Sequence, residues 1–183
     1  MKVFLDFEAS SLAKGSYPIE VGWIFEDGRS DSLLIRPAPG WTEWNDESEA
    51  LHGISRATLD AEGVAHEEVA RRLLQALSAH EVYVSAPSWD GMWLSVLLRA
   101  SGLPRHAMRL KDADEAHLEI ARDVLRPLVS AETLEDFAAA ALDRAKTQAA
   151  ERPVAHRALD DARAERELWL SMARVAAEVT RQA

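Results

Sequence analysis

The chain has 183 residues, 48% of them hydrophobic, enough for one well-buried core and short for two, so a single domain over 1–183 is expected. Its 31 acidic against 21 basic residues give a net charge of -10, which argues against a broad basic surface gripping long duplexes and leaves open a short or single-stranded substrate held at a metal. There is no cysteine, which excludes disulfides, thiolate nucleophiles and cysteine-bound zinc; any metal must be held by oxygen or imidazole, and hard cations fit best. With no basic region leading into a long apolar run, and no apolar stretch approaching about 18 residues, neither a signal peptide nor a membrane span is expected, and the cytoplasm is the default.

Met1 to Leu12, MKVFLDFEASSL, reads as a strand ending in two acids one residue apart. Alternation puts Val3, Leu5 and Phe7 on one face and Phe4, Asp6 and Glu8 on the other. Two acids side by side next to apolar neighbours carry a like-charge and desolvation cost that a divalent metal would offset. On its own the D-x-E pattern also fits a strand running out into a solvated acidic loop. Ala9 to Pro18 reads as a loop, with Ser10, Ser11 and Ser16 as ordinary loop residues. Ile19 to Phe25 and Ser32 to Ile35 flank Asp27-Gly28, a hairpin-turn pair, so the first three strands are expected to be adjacent and antiparallel. Glu20 reads as a strand-end carboxylate with a local hydrogen bond, the alternative being that it touches the site.

Pro37, Pro39 and Gly40 make an irregular connection carrying Trp41 and Trp44, which either stack on a base or, the reading preferred here, pack the loop on the core. Asn45 can cap a short helix through Leu51, with Gly53 in the C' position. His52 is a loop ligand for substrate phosphate or, preferred, a surface histidine. His66 to Ala79 has helical spacing, Glu81 to Ser85 is a buried strand, and Trp93, Val96, Leu97 and Ala100 form the apolar face of another helix ending near Gly102. Asp90 therefore falls at a strand-to-helix junction, where open α/β sheets bind ligands, although a carboxylate at a helix start can also serve the dipole alone. Met108 to Lys111 suggests a fifth strand and Ala113 to Leu125 a helix. Thr133 to Asp136 has the form of a capping box opening a helix through about Ala145, and Thr147 to Pro153 is a polar break.

His156 and Asp161 lie five positions apart and cannot share a face within one helix. They converge if His156 sits in the loop after Pro153 and the last helix starts around Arg157 to Leu159. An imidazole near a metal-bound water can act as general base, and a nearby carboxylate can complete a metal shell.

Together, D-x-E, an Asp after a mid-chain strand, and H-x4-D before a terminal helix resemble the DEDDh family of 3'-5' exonucleases, ribonuclease H-like proteins that include the polymerase III proofreading subunit, oligoribonuclease and ribonuclease T. The resemblance runs through FLDFEASSL, PIEVGW, HGIS, SAPSWD, TLEDFA and HRALDDA. Asp6 and Glu8 match the first motif, Asp90 the second, and His156 with Asp161 the third; Asp160 falls outside the register and reads as a surface or capping residue. Where members commonly have DFETTG, this chain has Ala9-Ser10-Ser11 after Glu8, and Ala86-Pro87 replaces the usual His-Asn. These changes spare the acids and the histidine and alter the walls around a terminal nucleotide.

The resemblance implies an α/β mixed sheet of about five strands, the first three antiparallel and the others parallel to the first, flanked by helices. It also implies that Asp6, Glu8, Asp90 and Asp161 hold two Mg or Mn ions roughly 3.5 to 4 Å apart, with His156 deprotonating the attacking water. The expected partner is single-stranded or short RNA or DNA, with no membrane, and a homo-oligomer is compatible with the sequence. Few cations stand near the site: Arg157 is the first candidate for a substrate phosphate and Arg152 a weaker one, while Trp89 is expected in the core. The rival readings are a catalytically inactive exonuclease-fold interaction module, which usually loses an acid or the histidine, and an acidic metal-binding protein without nuclease chemistry.

Overall fold

The computed structural model describes residues 1–151 and 156–181. Its centre is β1 (Lys2–Ala9), in a six-stranded sheet with β2 (Pro18–Phe25), β3 (Ser30–Arg36), β4 (Val64–Ala65), β5 (Glu81–Val84) and β6 (Leu110–Asp112). The spatial order is β4-β3-β2-β1-β5-β6. β1 to β3 pair antiparallel, while β5 runs parallel to β1 and β6 parallel to β5. The expected mixed sheet is thus present, with the two-residue β4 added at one edge.

The alternation in β1 sorts the layers. Val3, Leu5, Phe7 and Ala9 join Val69, Leu73 and Leu77 of α3 (His66–Leu77) and Trp93, Leu94, Leu97 and Leu98 of α4 (Pro87–Ala100) in the larger core. On the opposite face Phe4 packs with Ala113 and Ala116 of α5 (Ala113–Leu125) and Ala162 of α7 (Ala158–Val179). Small alanines at these positions let both helices lie close to the sheet. α5 and α7 also share a second core with α6 (Leu134–Ala150), built on Leu125, Ala138, Ala141, Leu168, Met172 and Val175.

Two local expectations change, and one helix is added that the sequence reading left unassigned: Ser55 accepts a hydrogen bond from Thr58 N at 3.1 Å and starts α2 (Arg56–Glu62). Thr133 makes no side-chain cap to α6, because its hydroxyl bonds within the preceding turn at Ser130. The polar stretch from Thr147 continues α6 to Ala150, since Thr147 Oγ1 donates to Asp143 O at 2.8 Å and Ala149 packs on the second core. α1 (Asp46–His52) forms as expected, with Asn45 Oδ1 accepting from Ser48 N at 2.8 Å and Gly53 closing it at φ 69°. Only glycine adopts that left-handed backbone without steric cost. No described helix is long and apolar enough to cross a membrane.

Candidate metal centre

Asp6 and Glu8 leave β1 on the face that α7 covers, and the register of β2 decides what meets them. Asp6 lies opposite Gly22, and Glu8 opposite Glu20. A Cβ on Gly22 would stand 2.6 Å from the Ala158 carbonyl carbon and closer still to Leu159 N, so the bare glycine lets the first turn of α7 rest directly on the sheet. That turn carries Asp161, whose N–H donates to Arg157 O at 3.0 Å. Carboxylate oxygens of Asp6, Glu8 and Asp161 consequently lie within 4.8 Å of one another.

Asp90 stands in the first turn of α4, after Pro87, and is 1% exposed. Its Oδ2 accepts from Ala86 N at 3.3 Å, and further backbone hydrogen bonds come from Phe7 and its own amide. It stands outside the three-carboxylate group, although its charge reaches Asp6. His156 precedes α7 at φ 49°, a strained conformation for a residue with a side chain, and its charge bears on Asp161. α7 starts at Ala158, within the expected range, so His156 lies in the loop before the helix and Asp161 in its first turn. Asp160 is exposed and bonds Arg163 at 3.0 Å.

The electrostatics are those of crowded, buried acids, opposed by Arg157 at Glu8 and by His156 at Asp161. Burial first, then Asp90, Glu8, Asp161 and Glu165, raise the Asp6 pKa well above the usual carboxylate range. Burial, with Asp161 and Glu20, pushes Glu8 up to about 7 against the pull of Arg157. Burial takes Asp90 to about 7 despite its backbone hydrogen bonds, and it raises Asp161 against the opposing effect of His156. Desolvation and like charge both penalise the ionised forms. An all-oxygen cluster of this kind suits a hard divalent cation, which would reverse the penalty.

Several surrounding residues differ from the sequence reading. Glu20 is buried and makes long-range bonds, accepting from Arg157 Nε at 3.0 Å, Arg157 Nη2 at 2.6 Å and Ala158 N at 3.1 Å. Arg157 therefore has a protein carboxylate as its partner; Arg152 and Pro153 lie outside the described residues. His52 is buried rather than on the surface: Nδ1 accepts from Ile54 N at 3.0 Å, while Nε2 has no protein partner. Ser10 and Ser11 are buried and donate to Glu43 at 2.5 and 2.7 Å, locking the loop behind Glu8. Ser16 is buried as well and accepts from Trp93 Nε1 at 3.1 Å. The tryptophans agree with the preferred reading: Trp41 stacks on Tyr17 with ring centres 5.0 Å apart, Trp44 donates to Glu49 at 2.8 Å, and Trp89 stacks on Trp93 at 5.6 Å, so all three are engaged in packing.

Glu165, one turn beyond Asp161, went unnoticed in the sequence. It is raised to about 7 chiefly by burial and stands 3.2 Å from the fully buried His117 Nε2. The i, i+4 spacing to Asp161 was the available signal.

No family model matches the chain, and no curated protein does. Solved structures do. The zinc-ion-bound form of E. coli exonuclease I in complex with single-stranded DNA superposes at a TM-score of 0.66 with 16% identity, over 94% of this chain and 40% of that one. The same enzyme with a dA16 oligonucleotide gives 0.65 at 15% identity, over 97% and 42%. A moderately thermophilic exonuclease I from Methylocaldum szegediense gives 0.55 at 16%, over 69% and 30%. The chain spans less than half the length of these proteins, and at such identity the likeness is one of architecture: the chain has the ribonuclease H-like exonuclease fold.

Proposed function

We propose that the chain is a metal-dependent 3'-5' exonuclease of the DEDDh type that hydrolyses single-stranded or short nucleic acid and releases nucleoside 5'-monophosphates. The observation that carries this reading is the convergence of Asp6, Glu8 and Asp161 within 4.8 Å, from a strand and a helix far apart in sequence. Asp90 adds a fourth acid beside Asp6, and His156 supplies a base beside Asp161.

Asp6, Glu8, Asp161 and Asp90 would hold two Mg or Mn ions, which when bound lower the pKa of water and stabilise negative charge on the phosphate oxygens. His156, whose charge is felt at Asp161, takes the proton of the attacking water. As the water oxygen bonds to phosphorus, the bond to the 3' oxygen breaks and that oxygen takes up a proton. The partly exposed His156 faces solvent from the loop and can exchange its proton between turnovers. An open groove of about 460 Å³, lined by Ser11, Leu12, Asn45, Glu47, Ser48 and Leu51, lies next to the loop behind Glu8.

A labelled oligonucleotide incubated with Mn, with and without chelator, tests the proposal. Shortening from the 3' end to 5'-monophosphates, abolished by chelator, is the expected result. Intact RNA and DNA after hours with micromolar protein and Mn would overturn it.

A further inference from the structure

We propose that Glu20 and Arg157 form a positioning clamp that fixes the first turn of α7 on β2 and thereby sets His156 and Asp161 against the acids of β1. This inference rests on the nuclease reading for its kinetic consequence.

Glu20 is 3% exposed at its side chain, yet no described bond of its carboxylate serves its own strand. Both oxygens receive the fork of Arg157, a geometry that fixes direction as well as distance. Its Oε2 also receives the N–H of Ala158, one of the amides at a helix start that no internal carbonyl can satisfy. α7 has no cap from its own N-cap side chain, so the cap arrives from the neighbouring strand. Beneath it, Gly22 leaves no room for a side chain against the backbone of Ala158 and Leu159, so the turn lies directly on β2.

The clamp sits where it has leverage. Glu20 lies directly across the strand pair from Glu8, and like charges so placed repel unless a cation stands between them. Arg157 offsets this repulsion, since it is bonded to Glu20 and its charge attracts Glu8. It immediately follows His156, whose left-handed backbone turns the chain into the helix. Arg157 O in turn accepts the N–H of Asp161, the first helical bond of that residue. A shift of the Arg157 backbone would therefore move the base and the carboxylate together.

The test uses the full chain and the variants Glu20→Gln, Arg157→Gln, the double variant, and Arg157→Lys as one that keeps the charge should the others fold poorly. Initial rates on a short DNA oligomer with Mn are read together with amide hydrogen exchange of Ala158–Asp161, taking β5 as the internal reference. The expected result is a fall in kcat of about tenfold or more in each Gln variant with KM changed by less than about twofold, because misplacement of a base costs the chemical step and not affinity. The double variant should be no worse than the poorer single one, since the pair acts as one unit. Exchange in the first turn of α7 should accelerate by about tenfold while β5 is unchanged, and Arg157→Lys should retain part of the protection. Unchanged exchange at α7 in Glu20→Gln would overturn the clamp. So would a higher KM in Arg157→Gln alongside wild-type kcat in Glu20→Gln, which would make Arg157 a substrate contact. Should the wild-type chain prove inactive, the nuclease reading falls, and the exchange measurement still decides the clamp.

Discussion

Asp6 combines burial with four carboxylates whose charge reaches it, Asp90, Glu8, Asp161 and Glu165, so its ionised form is the least comfortable group in the metal-free protein. Asp6→Asn keeps the shape and removes one charge. It should abolish turnover while leaving the metal-free melting temperature unchanged or higher, because like-charge repulsion is relieved. A clear drop in that temperature would assign Asp6 a purely structural part. The same crowding dictates a pH dependence. Glu8 and Asp90 are raised to about 7 in the folded chain from ordinary values of 4.5 and 3.8. The folded state thus holds protons that the unfolded state has released, and the stability this brings is complete below about pH 4 and lost as pH rises to about 7. Thermal melts of the metal-free protein should therefore fall across that window at roughly 2–4 °C for each kcal/mol lost. Mg or Mn should restore the loss most strongly at the alkaline end and release protons as it binds. A metal-free melting temperature that rises between pH 5 and 7 would contradict this account.

At the level of elements, β2 and α7 meet backbone to backbone at Gly22. Gly22→Ala would drive a methyl into the backbone of Ala158 and Leu159, which cannot yield as a flexible side chain would. The expected cost is about 3 kcal/mol or more, with loss of activity even where the chain still folds, because Asp161 moves with the helix. Denaturant melts and the oligonucleotide assay check both halves. This joint also marks the limit of what the sequence made legible. The two faces of β1 were readable because side chains alternate with a period of two, and the start of α7 was readable because His156 and Asp161, unable to share a helical face, converge if the helix begins between them. The partnership of Glu20 with Arg157 was not readable. It depends on the register of β1 against β2, which is set by the irregular loop from Ser10 to Tyr17 and by the lock of Ser10 and Ser11 on Glu43. Local composition misled where burial overrode it. Thr147 to Ala150 is polar enough to suggest a break, yet packing of Ala149 on the second core keeps it helical. His52 looked like a loop residue for the same reason, before Ile54 and Trp44 enclosed it.

For the molecule as a whole, charge decides how a strand of nucleic acid would be held. The net charge is -10, and many of its cations are already matched by carboxylates. Lys2 bonds Glu119 at 2.7 Å, Arg71 and Arg72 share Glu68, Arg122 bonds Glu135, Lys146 bonds Asp114 at 2.7 Å, and Arg174 bonds Glu178. Arg157, the first candidate for a substrate phosphate, is bound to Glu20. A protein that tracks a long strand gains affinity from each Lys or Arg that displaces counterions, and the logarithm of its affinity then falls with log salt by about 0.7 for every phosphate neutralised on a single strand. With most of the attraction placed at the metal centre, one or two phosphates set the slope. Oligomers of a few nucleotides should therefore be cleaved about as efficiently as long strands, within a few-fold in kcat/KM, and raising salt from about 50 to 200 mM should lower kcat/KM by less than about tenfold. Measuring both substrates at both salt concentrations decides the matter. A preference for the long strand of about a hundredfold that vanishes at high salt would mean that several of these cations leave their carboxylates and line a track for the phosphates. Charge reversal at Glu68 and Glu135 would then strengthen the preference, because Arg71, Arg72 and Arg122 would be freed to join it.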